Sequence, residues 1–135
     1  MVWIKDIWVY FLNEADIEKG YIEYGTDNIL FEQNESCIEI PRMFTRVGLL
    51  REFILNSNDK KLIRLSQTLS DPQLCDIYHR NYSFNYQPDN IYSQWVPYAK
   101  NRIFDYAEEW CFANNIKCSR KESEPLGKFV YLDCL

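Results

Sequence analysis

The chain has 135 residues, 47% of them apolar and 16% aromatic, and carries a net charge of −5. A chain of that length supports one hydrophobic core burying roughly two-thirds of its unfolded surface, and the apolar share excludes intrinsic disorder. The longest uninterrupted apolar run, Ile7 to Leu12, is far short of a membrane-spanning helix, and no linker-like run divides the sequence, so one globular domain over residues 1–135 is expected.

The opening MVWIKDIWVYFLNEAD lacks a basic start followed by an apolar stretch and a small-residue cleavage site, which points to the cytoplasm. Ile7 to Leu12 is short and rich in β-branched and aromatic residues and reads as a buried strand. A helix using Trp3, Ile4, Ile7, Trp8 and Phe11 is the competing reading. Segments 21–24, 29–32 and 37–40 follow, separated by the turn-forming stretches GTDN and QNES, and predict an antiparallel meander. Period-two alternation sets Ile22 and Tyr24 opposite Glu23, and Ile38 and Ile40 opposite Glu39, giving one apolar and one acidic face.

After Pro41 the apolar period becomes helical. Phe44, Val47, Leu50 and Ile54, then Leu62, Leu65 and Leu69, predict helices near 43–56 and 60–69. Ser70 with Gln73 and Pro72 reads as a capping-box start for a helix reaching about Arg80. A stripe of Ala99, Ile103, Tyr106, Ala107, Trp110 and Cys111 predicts a long helix over 97–114. IKCS and KFVYL then form a hairpin joined by RKESEPLG. The order predicts an α+β fold: a mainly antiparallel sheet, made of the N-terminal strand and meander plus the C-terminal hairpin, packed by about four helices.

Charge is segregated along the chain. Residues 1–40 hold nine acidic side chains (Asp6, Glu14, Asp16, Glu18, Glu23, Asp27, Glu32, Glu35, Glu39) against two basic ones, Lys5 and Lys19, while the remainder holds eleven acidic and thirteen basic. Such a patch can simply solvate the outer face of a meander, or it can steer a cationic partner into contact.

The stretch 81–98, NYSFNYQPDNIYSQWVPY, carries six aromatic rings among polar residues. Tyr82, Phe84 and Tyr86 share one face if the chain is extended, and Ile91, Tyr92, Trp95 and Tyr98 extend the supply. These rings can form a satellite cluster beneath a loop, or they can grip a protein partner, a use for which tyrosine and tryptophan are favoured. Stacking on single-stranded nucleic acid needs a basic groove as well. Residues 81–99 contain no Lys or Arg and the isoelectric point is near 4.9, which argues against direct nucleic-acid binding.

Catalytic signatures are weak. The one histidine, His79, follows Cys75 and Asp76 on a predicted helix, but neighbours on one helical turn rarely orient a nucleophile and base toward a substrate. Glu108 and Glu109 are adjacent on a helix and diverge. The five cysteines, Cys37, Cys75, Cys111, Cys118 and Cys134, form no C-x-x-C pair and read as reduced thiols instead of a disulfide framework or a zinc site. Four isolated glycines build no phosphate loop, so neither a cofactor nor a metal is expected.

In its small, acidic, aromatic-rich character without a catalytic motif, the chain resembles immunity proteins of bacterial contact-dependent growth inhibition and related polymorphic toxin systems. The resemblance implies a cytoplasmic protein, not an enzyme, that binds a cognate toxin domain with a basic surface, commonly a nuclease, and covers its active site or substrate surface. On this reading Asp16, Glu18, Glu23, Asp27, Glu32 and Glu35 stand in for phosphates before the toxin's basic residues, and Tyr82, Tyr86, Tyr92 or Trp95 anchor the contact. An adaptor or structural subunit of another complex, or an enzyme without a recognisable motif, is the alternative.

Overall fold

A computed structural model describes residues 1–76 and 94–120. The end of the helix predicted to Arg80, the aromatic stretch through residue 93, and the strand KFVYL lie outside the described residues, as do His79, Tyr82, Tyr86, Tyr92 and Cys134. The described residues form two compact units, one of residues 1–45 with 101–120 and the other of residues 46–76 with 94–100.

In the first unit, strand β1 (Val2–Trp3) leads into a short helix α1 (Ile4–Ile7), which tightens into a 3₁₀ turn over Trp8–Phe11. The strand expected over Ile7 to Leu12 is therefore absent, and the competing helical reading describes most of the segment. Ile4, Ile7, Trp8 and Phe11 are all buried, at spacings that fall on one helical face, while Asp6 is exposed and Lys5 partly so. The helical turn carries the Trp8 ring inward on the same face as Ile4, Ile7 and Phe11. Burying that ring outweighed the weak strand propensity of β-branched and aromatic residues. Trp3, included in the helical stripe, instead stays 40% exposed on β1.

The meander forms as expected, with tighter limits: β2 (Tyr21–Glu23), β3 (Ile29–Leu30) and β4 (Cys37–Glu39), in the antiparallel order β3-β2-β4. Ile22 pairs with Ile29 and Ile38, while Tyr21 pairs with Leu30 and Glu39. Directly paired residues share a face, so Glu23 and Glu39 share theirs with Tyr21, which is itself buried. The face expected to be purely acidic is mixed. Gly25 and Asp27 adopt φ values of 84° and 58°, the left-handed conformation that closes the GTDN turn.

The fold is α+β, but among the described residues the strands form two small sheets and not one mainly antiparallel sheet. Among the described residues the meander is a three-stranded sheet of its own, and β1 pairs in parallel with β5 (Cys118–Ser119), Val2 opposite Cys118 and Trp3 opposite Ser119. The physical reason is the helical start: with Ile4–Phe11 coiled, only Val2–Trp3 remains extended. Its partner follows a long intervening chain, which permits the parallel sense.

The second unit contains α2 (Arg46–Leu55), α3 (Lys60–Thr68) and the start of α4, described over residues 71–76. Leu49, Leu50, Phe53 and Ile54 form the buried stripe of α2. Asp59 caps α3, its side chain accepting from the Leu62 N–H at 3.0 Å. The expected Leu62–Leu65–Leu69 stripe is displaced. Leu65 is 42% exposed, and Ser66 takes the buried position one turn from Leu62, its hydroxyl donating to the Ile63 carbonyl at 2.7 Å. The capping box is present: the Gln73 side chain accepts from Ser70 N–H at 2.9 Å and the Ser70 hydroxyl accepts from Gln73 N–H at 3.3 Å.

Helix α5 (Trp95–Ala113) has the stripe read from the sequence, with Ala99, Ile103, Ala107 and Cys111 buried. It ends in a left-handed cap. Asn115 has φ of 59°, Ile116 N–H donates to the Cys111 carbonyl at 2.9 Å, and Asn115 N–H donates to the Phe112 carbonyl at 3.2 Å. That pair of bonds is a Schellman motif, with asparagine where glycine is commoner. Among the described residues no helix is long and apolar enough to cross a membrane.

Candidate functional site: an acidic face with an exposed ring

The first unit concentrates the negative charge. Its described residues carry twelve acidic and six basic side chains, whereas those of the second carry four acidic and six basic.

Loop 12–20 is held by an arginine that spends its charge on the backbone. The Arg42 guanidinium donates to the carbonyls of Leu12, Glu14 and Ile17, the last at 3.1 Å. Ile17 is buried, so its neighbours Asp16 and Glu18 stand exposed on either side of it. Each carbonyl engaged by Arg42 would otherwise need water or another donor to reach its full pairing. The arginine thus orders the acidic loop through its backbone, and Glu18 stays exposed.

Next to this loop lies a ring pair. The Tyr10 ring lies so close to Gly20 that a Cβ there would fall 2.8 Å from its Cγ, and Phe31 meets Tyr10 edge to face at a centroid distance of 5.8 Å. Phe31 stays 55% exposed, a large apolar group left to solvent at the end of β3. Burial first, then the negative charges of Glu18 and Asp6, push the Tyr10 hydroxyl above the ordinary phenol range. Both carboxylates therefore lie within electrostatic reach of this ring. Glu32 follows Phe31, and the next turn is ordered by Ser36 N–H donating to Asn34 Oδ1 at 2.7 Å and by contacts of the Cys37 sulfur with Asn34, leaving Glu35 exposed.

The six carboxylates singled out from the sequence divide into two sets. Glu18, Glu32 and Glu35 are exposed and form no ion pair among the described residues. Asp16 is exposed as well. Glu23 and Asp27 are engaged locally: Thr26 Oγ1 donates to Glu23 at 2.5 Å, and Asp27 lies 2.8 Å from the Met1 ammonium. Lys19 approaches Glu39 only to 3.9 Å.

Among the rings expected to anchor a partner, Trp95 is a correction. It is fully buried in the second unit and packs on Phe53 at 5.8 Å, so it belongs to the core. Its place at the start of α5, where an apolar face turns inward, accounts for this. Sequence reasoning missed the Tyr10–Phe31 ring pair and the approach of Glu18 and Asp6 to Tyr10. The only local signal was a phenylalanine beside a glutamate at the end of a short strand, whereas the juxtaposition itself depends on loop 12–20 folding back.

Among the described residues no group of three or more His, Cys, Asp or Glu side chains is placed to hold a metal ion. Comparison with protein-family models, curated proteins and solved structures finds no match to this chain.

Proposed function

We propose that the protein is a cytoplasmic immunity protein that binds a cognate toxin domain, a basic nuclease, and covers its active site or substrate-binding surface. The observation that carries this reading is the combination of Glu18, Glu32 and Glu35, exposed and without ion pairs among the described residues, with an exposed Phe31 ring braced edge-on by Tyr10. Carboxylates displayed in this way substitute for phosphates before Lys and Arg side chains and accelerate encounter. A preorganised ring buries on contact and slows release.

The division of the carboxylates identifies the variant to make. Reversing Glu23 or Asp27 would also break the contacts with Thr26 or the Met1 ammonium, so Glu18→Lys with Glu32→Lys is the cleaner probe. The partner to seek is a basic nuclease domain encoded beside this chain's own reading frame. Stopped-flow mixing should show association slowed about tenfold at low ionic strength and a flatter salt dependence. Phe31→Ala should leave association nearly unchanged and speed dissociation. Full nuclease activity at saturating protein, or association rates indifferent to both salt and charge reversal, would overturn the proposal.

A further inference from the structure

The second unit carries a basic face of its own. On α3, Lys61, Arg64, Leu65 and Thr68 recur at spacings of three and four residues and so share one side of the helix, away from the buried Leu62 and Ser66. They wall a surface groove of about 360 Å³, with Leu65 as its apolar part, 42% exposed. Lys61 and Arg64 are exposed and form no ion pair among the described residues. Asp59, the carboxylate nearest along the chain, is engaged in capping the helix through the Leu62 N–H.

The first unit displays the complementary chemistry. Phe31 is 55% exposed and is followed at once by the exposed Glu32, while Glu18 and Glu35 also stand exposed without ion pairs among the described residues. An aromatic ring occupies an apolar cavity of about 150 Å³, less than the groove on α3 offers. A ring seated there also brings a neighbouring carboxylate toward a guanidinium, the pairing in which charge-assisted hydrogen bonds are strongest.

We propose that the groove on α3 receives the Phe31 face of a second copy of this chain, the ring against Leu65 and the carboxylates of Glu32 and Glu18 against Lys61 and Arg64. The two faces differ, so the contact is head to tail. Each added copy leaves one acidic face and one basic groove open, and assemblies lengthen with concentration or close into a ring. With a net charge of −5, two copies repel in most orientations. This orientation sets the unit with the acidic excess against the unit with the basic one, and the attraction depends on weak screening.

Sedimentation velocity on the protein alone is the test. The average mass should rise above that of one chain as concentration increases at about 0.01 M salt, and return to one chain at about 1 M, where the screening length has fallen from about 30 Å to about 3 Å. Lys61→Gln with Arg64→Gln alters the groove only, and Glu18→Gln with Glu32→Gln alters the acidic face only. Each double variant by itself should associate at least about tenfold more weakly than the wild type. An equimolar mixture of the two contains one intact groove and one intact acidic face, so it should form a complex that stops at two chains. Phe31→Ala should weaken wild-type association about tenfold, whereas Phe112→Ala, which removes an exposed ring elsewhere on the same unit, should leave it unchanged. All these side chains are exposed, and far-UV circular dichroism confirms that each variant is folded. A wild-type chain that stays monomeric at low salt, association indifferent to salt, a double variant that pairs with itself as tightly as the wild type, a mixture that forms no complex, or Phe31→Ala without effect would each overturn the proposal. No toxin enters the experiment, so its failure leaves the reading as an immunity protein untouched.

Discussion

Two phenylalanines that composition cannot tell apart should behave in opposite ways when truncated. Phe11 is fully buried, and its ring meets Tyr106 and Trp110 edge to face at 5.8 and 5.6 Å. Phe112, on the last turn of α5, is 85% exposed. Replacing Phe11 with alanine removes a buried ring and leaves a cavity, a change that costs about 3–5 kcal/mol. Of that, the two edge-to-face contacts supply about 1–3 kcal/mol. With a urea slope of about 1.5–2 kcal/mol per molar, the unfolding midpoint should fall by about 1.5–3 M. Against a total stability of about 5–15 kcal/mol, that loss leaves a marginal protein, so urea titration at low temperature is the suitable assay. Tryptophan fluorescence is the natural probe because Trp110 is one of the two rings in contact. Phe112→Ala should move the midpoint by no more than about 0.5 kcal/mol equivalent. Phe11→Leu, which keeps most of the apolar volume but loses the ring edges, should fall between. Comparable shifts for Phe11→Ala and Phe112→Ala, or equal losses for leucine and alanine at position 11, would refute the assigned roles.

Arg51 donates to the Ser66 and Leu69 carbonyls at 2.7 and 2.9 Å as well as to Asp71, so Arg51→Met should cost about 1.5–3 kcal/mol while Asp71→Asn costs less than about 1 kcal/mol by urea titration. Gly20→Ala would place a Cβ 2.8 Å from the Tyr10 ring and should cost about 1–3 kcal/mol in a thermal melt, with Tyr10 displaced from Phe31 in the amide and side-chain NMR shifts. Burial, followed by Cys118, Asp27 and Glu108, pushes the Cys111 thiol up from 9.0 to about 12. The unfolded chain therefore loses that proton first, and the stability tied to it is whole below pH 9.0 and drains as pH rises toward about 12. The full loss is about 4 kcal/mol, so between pH 8.5 and 10.5 the wild-type urea midpoint should fall more steeply than that of Cys111→Ala, and parallel declines would refute it.

How much of this fold could be read in advance follows from where its information lies. The capping box at Ser70 and Gln73 and the stripe of α5 are local patterns, complete within a few turns of chain, and they appear in the structure as written. The meander's turns were legible for the same reason, since Gly25 and Asp27 are residue types that tolerate the left-handed backbone their turn requires. Ile4–Phe11 was ambiguous because its composition favoured a strand while its spacing allowed a helix, and burial of Trp8 decided the matter. That decision is tertiary. The same dependence divides the expected single sheet among the described residues, since a two-residue strand at Val2–Trp3 reveals nothing of the distant Cys118–Ser119 that pairs with it.

For the candidate site, sequence supplied the charge and the fold supplied its arrangement. Nine acidic side chains in forty residues announce a negative surface, but they do not say which carboxylates remain free of internal partners. That distinction rests on Arg42, whose guanidinium binds backbone carbonyls of the acidic loop while Glu18 stays exposed. Had Arg42 paired with Glu18 instead, that carboxylate would have been neutralised within the fold. The energetic choice favours the carbonyls because ordering a loop of this length requires donors for its backbone oxygens, whereas an exposed carboxylate such as Glu18 gains little from a surface ion pair. Glu18, Glu32 and Glu35 are thereby left exposed, as the proposed docking of a cationic partner requires. The attraction proposed for a toxin domain is therefore a consequence of how the loop solves its own hydrogen-bonding problem.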